Sequence, residues 1–350
     1  SFSYSQQDFV VRFHRMLGKN IFYPFGVDDN GLATERMIEK MKNVKGQFMP
    51  RREFVKLCYE TVEAIRDDFV YDWKRLGTSA DFNIFYSTIN KHSQKISQRS
   101  FIELYKMKRV YRKYAPSMAC PQCMTAIAQV ELKDLERTAT IYHVKAKVGN
   151  NESIVFATTR PELMMACIAI TVHPDDARYK HLVGKTATIP VSNQKVPIFA
   201  DTLTKMEFGT GAVYWCPYGD MNDIEFVAKH SKLEVRHVMD RDGRLNELAG
   251  KYKGMNSEEA RKAVVRDWKS AGAIVKEEQI GQVLNTHERC GTPIEFVAMD
   301  QWFIKYLDLK NDFIKYGRKI KWYPEHMRAR YENWIQGLKW DWNISRQRHF

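Results

Sequence analysis

Ile21-Phe22-Tyr23-Pro24-Phe25-Gly26-Val27-Asp28-Asp29-Asn30-Gly31 is the stretch on which the fold turns. Its apolar first half predicts a short buried strand, Gly26 to Gly31 a polar turn, and Thr34 to Met41 a helix. A polar turn between the end of an apolar strand and a helix is where open α/β sheets bind ligands. Upstream, residues 6–18 have helical period, with Phe9, Val10, Phe13, Met16 and Leu17 on one side and Gly18 as the stop. Downstream, residues 51–75 and 94–113 predict further helices, the second very basic. From about Thr138 short alternating strands appear, at Ile141–Val144, Ile154–Ala157 and Thr186–Ile189, punctuated by Gly and Pro. That is β-rich, barrel-like texture. Residues 257–271 return to helix, and from Trp302 the pattern is α/β again. The expected fold class is α/β, with a β-rich block of some 150 residues interrupting the framework.

The 350 residues carry 55 Lys+Arg against 42 Asp+Glu, a net charge of +13. The surplus is local. Residues 91–120 hold eight basic residues and one Glu, and residues 301–350 hold eleven against five, leaving 36 of each sign elsewhere. Two basic patches on a neutral body imply a polyanionic partner touched at defined places. No run of eighteen apolar residues exists to span a membrane. Ser1-Phe2-Ser3-Tyr4 has neither the basic head nor the apolar core of a signal peptide. Six Cys are too few for a disulfide scaffold, so a reducing cytoplasm is the expected location. A start without Met and a stop at Phe350 read as a piece of something longer.

Cys120-Pro121-Gln122-Cys123 stands at one junction of the β-rich block and His287-Glu288-Arg289-Cys290 at the other. Each puts two residues between its ligands, and together they form Cys₃His, a common structural zinc set with no position left for water. The alternative is two unrelated pairs of reduced thiols. Cys58, Cys167 and Cys216 are expected to pack as small apolar residues.

Ala157-Thr158-Thr159-Arg160-Pro161-Glu162 reads on its own as a strand end and helix cap. Gly209-Thr210-Gly211-Ala212-Val213-Tyr214, followed by Gly219-Asp220-Met221-Asn222-Asp223, reads as a tight turn with a capping Asp. Leu182-Val183-Gly184-Lys185-Thr186 imitates the end of a P-loop, but Tyr179 replaces the required first Gly. No G-x-G-x-x-G occurs, so a nicotinamide or flavin enzyme is unsupported.

Together these segments, with Gly26 to Glu35 and Trp340-Asp341-Trp342-Asn343-Ile344-Ser345-Arg346-Gln347, resemble a class I aminoacyl-tRNA synthetase of the valine/isoleucine/leucine group over essentially the whole chain. The Cys/His pairs and Thr171 to Tyr179 are most similar to its valine-specific members of archaeal type, isoleucine-specific members being next. The resemblance implies an incomplete Rossmann-like core, 1–118 and 300–350, a zinc-binding junction, 119–137 and 282–299, and a β-barrel editing domain, 138–281, that hydrolyses mischarged aminoacyl-tRNA. The family's His-x-Gly-His and Lys-Met-Ser-Lys-Ser signatures, which serve ATP, are expected outside residues 1–350. The chain alone is therefore expected not to aminoacylate, ATP and Mg belonging to the parent enzyme.

The resemblance also assigns roles. Asp223 matches the residue that holds the substrate's α-ammonium, Thr158 and Thr159 those that position the terminal adenosine and the attacking water, and Arg160 and Asp220 shape the same pocket. Tyr214 stands where many bacterial members have Lys near the threonine hydroxyl, and Gly219 where they have His. Asp28 matches the Asp that binds the amino group during activation; Trp302, Leu338 and Trp342 resemble the walls of the valine pocket, with core packing the alternative for each Trp. Implied partners are the 3′ end and acceptor stem of tRNA(Val), with valine and threonine, and a monomer is expected. A non-catalytic tRNA-binding module and an isoleucine-type editing fragment remain the alternatives.

Overall fold

The computed structural model describes residues 2–207 and 209–350, so Ser1 and Phe208 lie outside it. The chain falls into two compact units, residues 1–111 with 347–350, and residues 112–346.

In the first unit, strands Pro24–Val27 and Asp81–Ser87 pair in parallel, joined through the helices Leu32–Lys42 and Arg51–Arg75. A parallel pair needs such a helical crossover, and the α/β expectation for this segment stands. The strand begins later than predicted. Phe22 is exposed, and only Phe25 is buried, among Phe82, Phe85, Phe69 and Trp73. Ile38, Phe54, Cys58 and Val62 form a second small core between the two helices. Glu35 is wholly buried there; it accepts hydrogen bonds from Arg348 and from the backbone N–H of His349 (2.9 Å) and Phe350 (2.6 Å).

Two helices depart from the sequence pattern. The first spans Phe2–Met16, and its apolar side, Phe9, Val10, Phe13 and Met16, faces solvent. Its buried residue is Asp8, which takes hydrogen bonds from Arg12 (2.6 Å) and from the N–H and hydroxyl of Ser79 (2.8 and 2.6 Å). The basic helix ends at Lys106 instead of running to 113, because Lys108 turns left-handed (φ 57°) and Val110–Cys120 is extended.

The second unit is built on a seven-stranded sheet, ordered Ala212–Trp215, Ala169–Val172, Lys195–Ala200, Thr186–Thr188, Leu132–Val148, Ile274–His287, with Glu152–Thr158 also on Leu132–Val148. Where the sequence suggests a barrel, the pairings among the described residues form an open path. The pair Leu132–Val148 and Ile274–His287 is antiparallel over most of its length, from His287 opposite Leu132 to Ile274 opposite Val144. One side of the sheet buries Val144, Ile154, Phe156, Ile170 and Ile198 against the helix Ser257–Ser270, whose Trp268 is wholly enclosed. A second sheet is ordered Trp342–Asn343, Glu295–Ile304, Val110–Cys120, Thr125–Ala126; Cys120 ends one of its strands, and His287 ends the Ile274–His287 strand of the first sheet. No helix among the described residues is long and apolar enough to cross a membrane.

Candidate functional site

Two short turns bring four sulfur and nitrogen ligands together. In one the N–H of Met124 donates to the carbonyl of Cys120 (2.8 Å), and in the other the N–H of Gly291 donates to the carbonyl of His287 (2.8 Å). Met124 and Gly291 both lie at positive φ, 54° and 70°, which curls each turn back over its own ligands. Cys120 Sγ is 3.4 Å from Cys290 Sγ, Cys123 Sγ is 3.9 Å from Cys290 Sγ, and His287 Nδ1 lies 3.6 and 3.4 Å from the sulfurs of Cys123 and Cys290. A tetrahedral site with Zn–S of about 2.3 Å and Zn–N of about 2.0–2.1 Å spaces its sulfurs about 3.8 Å apart, and sulfur from nitrogen about 3.5 Å. All four ligand atoms lie within 4.8 Å of one another, so the donor set fits a metal of this kind. His287 Nε2 is buried with no hydrogen-bond partner among the described residues, leaving Nδ1 as the ligating nitrogen. Zinc analysis of the purified chain is expected to give about one equivalent, lost in Cys123→Ser together with several degrees of thermal stability. Metal-free protein with an unchanged melting temperature would rule the site out.

Separately, a cavity of about 1540 Å³ opens on the sheet of the second unit, lined by Thr158, Thr159, Arg160, Tyr214, Asp220 and Asp223, among others. The strand Glu152–Thr158 ends on the first threonine, and Thr159 follows it in the turn. Thr158 Oγ1 accepts from the N–H of Arg160 (2.9 Å), which closes the turn as the chain leaves the sheet. Thr159 Oγ1 accepts from the Gln282 amide at 3.5 Å. Asp220 and Asp223 cap the helix Met221–Lys229 reciprocally: Asp223 N–H donates to Asp220 Oδ1 (3.0 Å), and Asp220 N–H donates to Asp223 Oδ2 (3.0 Å). The other oxygen of Asp223 accepts from Cys216 N–H at 3.2 Å. Burial in the cavity wall, and next the Asp220 carboxylate, push the Asp223 carboxyl up to about 8. The reading of a capping Asp holds for Asp220, Asp223 closes the same cap from within the helix, and both also line the cavity.

Gly219 explains one departure from the bacterial pattern. A Cβ there would stand 2.5 Å from Asp223 Oδ2 and 3.0 Å from Leu163 Cδ1, so this backbone has no room for histidine. Tyr214 stacks on Phe156 with ring centroids 4.5 Å apart. Its hydroxyl is closed off from solvent, with no hydrogen-bond partner among the described residues. The described residues lining the cavity include no histidine, and so no nucleophile–base pair of the usual kind.

Behind the threonines lies an ion network. Arg160 donates to Glu162 (2.8 Å), to Glu295 (2.6 Å) and to the Gly219 carbonyl (3.0 Å). Arg261 takes both oxygens of Glu162, at 2.9 and 2.6 Å, and Ser257 donates to Glu295 at 2.7 Å. Glu162 is 0 % exposed. Burial alone would raise its pKa, but the Arg160 charge and the Arg261 hydrogen bond outweigh that and hold it below the usual range. For Arg160 burial opposes the charge, while Glu295 and Glu162 hold its proton more firmly than usual.

The whole chain, residues 1–350, matches the family described as tRNA synthetases class I (I, L, M and V). The chain belongs to this family. The valine–tRNA ligases of Thermoplasma acidophilum and Thermoplasma volcanium are 48% and 46% identical to it over 350 residues, all of this chain and 44% of each relative. The valine–tRNA ligase of Rickettsia conorii is 41% identical over all of this chain and 43% of its own length. The higher identities fall on the Thermoplasma enzymes, in keeping with the archaeal-type resemblance. The chain spans less than half the length of these curated relatives. A solved complex of Agrobacterium radiobacter K84 agnB2 LeuRS with tRNA and LeuAMS aligns at a TM-score of 0.32 and 16% identity, over 80% of this chain and 42% of that one.

In this class I synthetase chain the framework residues are held as follows. Asp28 follows the strand Pro24–Val27 in the first unit and accepts from Thr88 Oγ1 at 3.2 Å. Trp302, Leu338 and Trp342 belong to the second unit, where Trp342 pairs with Ile304 across two antiparallel strands. Trp302 is half-buried and its N–H donates to Ser345 at 2.8 Å, whereas Trp342 is 53% exposed and so is not core packing. Cys58, Cys167 and Cys216 are buried free thiols, as expected. Glu295, Arg261 and Ser257 carry no local signal of their role; Glu295 is simply the last residue of the His287 to Glu295 segment.

Proposed function

We propose that the chain is the editing-bearing part of a valine–tRNA ligase and that its cavity hydrolyses threonyl-tRNA(Val) to threonine and free tRNA. The parent enzyme would join valine to tRNA(Val) with ATP and Mg. The need for editing is physical. A hydrophobic pocket cannot strongly reject an isostere that merely adds a hydroxyl, and threonine is that isostere of valine, the pair on which the rule is best known.

The observation that carries the reading is the convergence of the Thr158–Thr159 turn and the Asp223 carboxylate on one cavity. Asp223 would hold the α-ammonium of the threonyl group by a charge-assisted contact that fixes its orientation. The Thr159 hydroxyl and the turn closed by Thr158 would position the terminal adenosine and the water that attacks the ester carbonyl. With no histidine among the described lining residues, the gain comes from orientation and preorganised dipoles. Arg160 would act through shape: its guanidinium is committed to Glu162 and Glu295, so it props the threonine turn against the Gly219 carbonyl. Asp220 would set Asp223 through the capping pair. Zinc, when bound by Cys120, Cys123, His287 and Cys290, would supply a structural clamp on the segments that enter and leave the domain. In the first unit Asp28 would bind an amino group during activation, and in the second Trp302, Leu338 and Trp342 would offer apolar walls.

The basic helix Lys91–Lys106 has no buried residue, and Lys108 and Arg109 follow in the turn after it, which fits phosphate contact with the acceptor stem. Arg112 is paired with Asp300 at 3.0 Å, so the cleaner test uses the two lysines. Lys106→Gln with Lys108→Gln is expected to weaken tRNA binding and to flatten the log–log salt dependence by about 0.9 for each lost phosphate contact. Binding and slope both unchanged would mean that the surplus is only a solvated face.

A further inference from the structure

Arg137 faces the same cavity but stands outside the ion network behind it. It lies on Leu132–Val148 directly opposite Gln282 on Ile274–His287. Its Nε and Nη2 both donate to Gln282 Oε1, at 3.1 and 2.8 Å, and among the described residues that neutral oxygen is its only hydrogen-bond partner. Arg160 and Arg261, by contrast, are matched one for one by Glu162 and Glu295. Arg137 is therefore an arginine of this half-buried wall whose hydrogen bonds go to a neutral oxygen, with no carboxylate in contact among the described residues. Burial, then the charges of Arg261 and Arg160, push its pKa down against the smaller pull of Glu162 and Glu295, and an incoming anion would relieve that push.

The size of the cavity says what kind of anion. Pockets for single small molecules run to roughly 300–1,000 Å³, and this one, about 1540 Å³, exceeds what an aminoacylated adenosine alone would fill. Its far wall is the helix Ser257–Ser270, which turns Lys262, Arg266 and Lys269 into the same space. Those three already have acidic neighbours in Glu258, Asp267 and Glu277.

We propose that Arg137 grips a phosphodiester of the tRNA 3′ end, one nucleotide from the ester, and so anchors that end in the cavity that holds the Thr158–Thr159 turn. This rests on the hydrolytic reading above and adds a specificity residue to it. Gln282 serves both ends: its oxygen presents the guanidinium fork, and its amide donates to Thr159 Oγ1 at 3.5 Å. A planar fork matches phosphate geometry where an ammonium does not.

The test compares the chain with its Arg137→Gln and Arg137→Lys forms on two substrates, threonyl-tRNA(Val) and 3′-O-threonyl-adenosine, which has no phosphate. Arg137→Gln is expected to raise KM for the tRNA about 10-fold or more and to leave kcat nearly unchanged. It should also reduce the salt slope by about 0.7, the single-strand value for one contact, and leave the adenosine ester unaffected. Arg137→Lys should keep the slope and lose part of the affinity. Equal losses on both substrates would assign Arg137 to holding Gln282 and Thr159 and overturn the proposal, as would an unchanged KM and slope on the tRNA. A wild-type chain inactive on both substrates would instead remove the hydrolytic reading itself.

Discussion

Asp223→Asn is expected to lower kcat/KM for threonyl-tRNA(Val) hydrolysis by about 100- to 1,000-fold, the usual loss when one partner of a buried charge pair is neutralised. The side chain also closes the cap of the helix Met221–Lys229. The Asn variant retains one oxygen acceptor and should lose only about 1 kcal/mol of stability. Its circular dichroism and melting curve should therefore stay close to the parent's while activity disappears. The pH profile separates the two roles. With the carboxyl raised to about 8, the empty site is mostly protonated at neutral pH and ionises only as the pH approaches 8. The substrate's α-amino group loses its proton in the same range, about 7.7–8.0. The parent's kcat/KM should rise toward pH 8 and fall beyond it, and the Asn variant should lose the rising limb. The stability effect has the opposite sense. A carboxyl whose folded pKa exceeds its ordinary value of 3.8 favours the folded state fully below about pH 4, and that contribution is lost as pH rises through about 8. Between those limits the parent should lose stability relative to Asp223→Asn in urea titrations. Unchanged deacylation by the variant would defeat the assignment.

Glu162→Ala should strongly destabilise the second unit. The carboxylate is wholly buried and receives three hydrogen bonds from Arg160 and Arg261. Removing it leaves Arg160 with Glu295 alone and Arg261 with no carboxylate in contact among the described residues. Breaking a buried pair in this way costs about 3–5 kcal/mol. For a unit of this size that lowers the melting temperature by about 6–20 °C. Glu162→Gln, which keeps the shape and one acceptor oxygen, should fall between. Because the folded pKa of Glu162 lies below 4.5, its stabilisation is present above that value and lost as pH falls through the lowered one. Acid unfolding of the parent should therefore be steeper than that of the Ala variant. A melting temperature within about 2 °C of the parent's would show that the network is not what holds the threonine turn.

The sequence is informative where local chemistry decides and silent where distant residues meet. Cys120, Cys123, His287 and Cys290 are legible because two ligand pairs with matching internal spacing flank one β-rich block, and they converge within 4.8 Å. The helix over 51–75 and that over 257–271 are legible from their periods and are found as Arg51–Arg75 and Ser257–Ser270. The basic helix is overrun in the sequence because nothing in its composition marks the left-handed Lys108. At the first helix the apolar period points to the wrong side, since Asp8 is buried by partners 71 residues away and the phenylalanines are not. Arg160 is legible as a pocket residue, but its commitment to Glu162 and Glu295 depends on a contact 135 residues distant that no local pattern encodes. Tyr214 occupies the expected position in the lining, yet its ring lies flat on Phe156, a pairing fixed by the packing of the sheet.

The central claim is that the cavity removes threonine from tRNA(Val). Deacylation of threonyl-tRNA(Val) and valyl-tRNA(Ile), followed side by side with this chain, tests it most directly. Rapid loss of the threonyl ester with the valyl ester stable is the expected result. Equal stability of both esters, or preferential loss of the valyl ester, would contradict it.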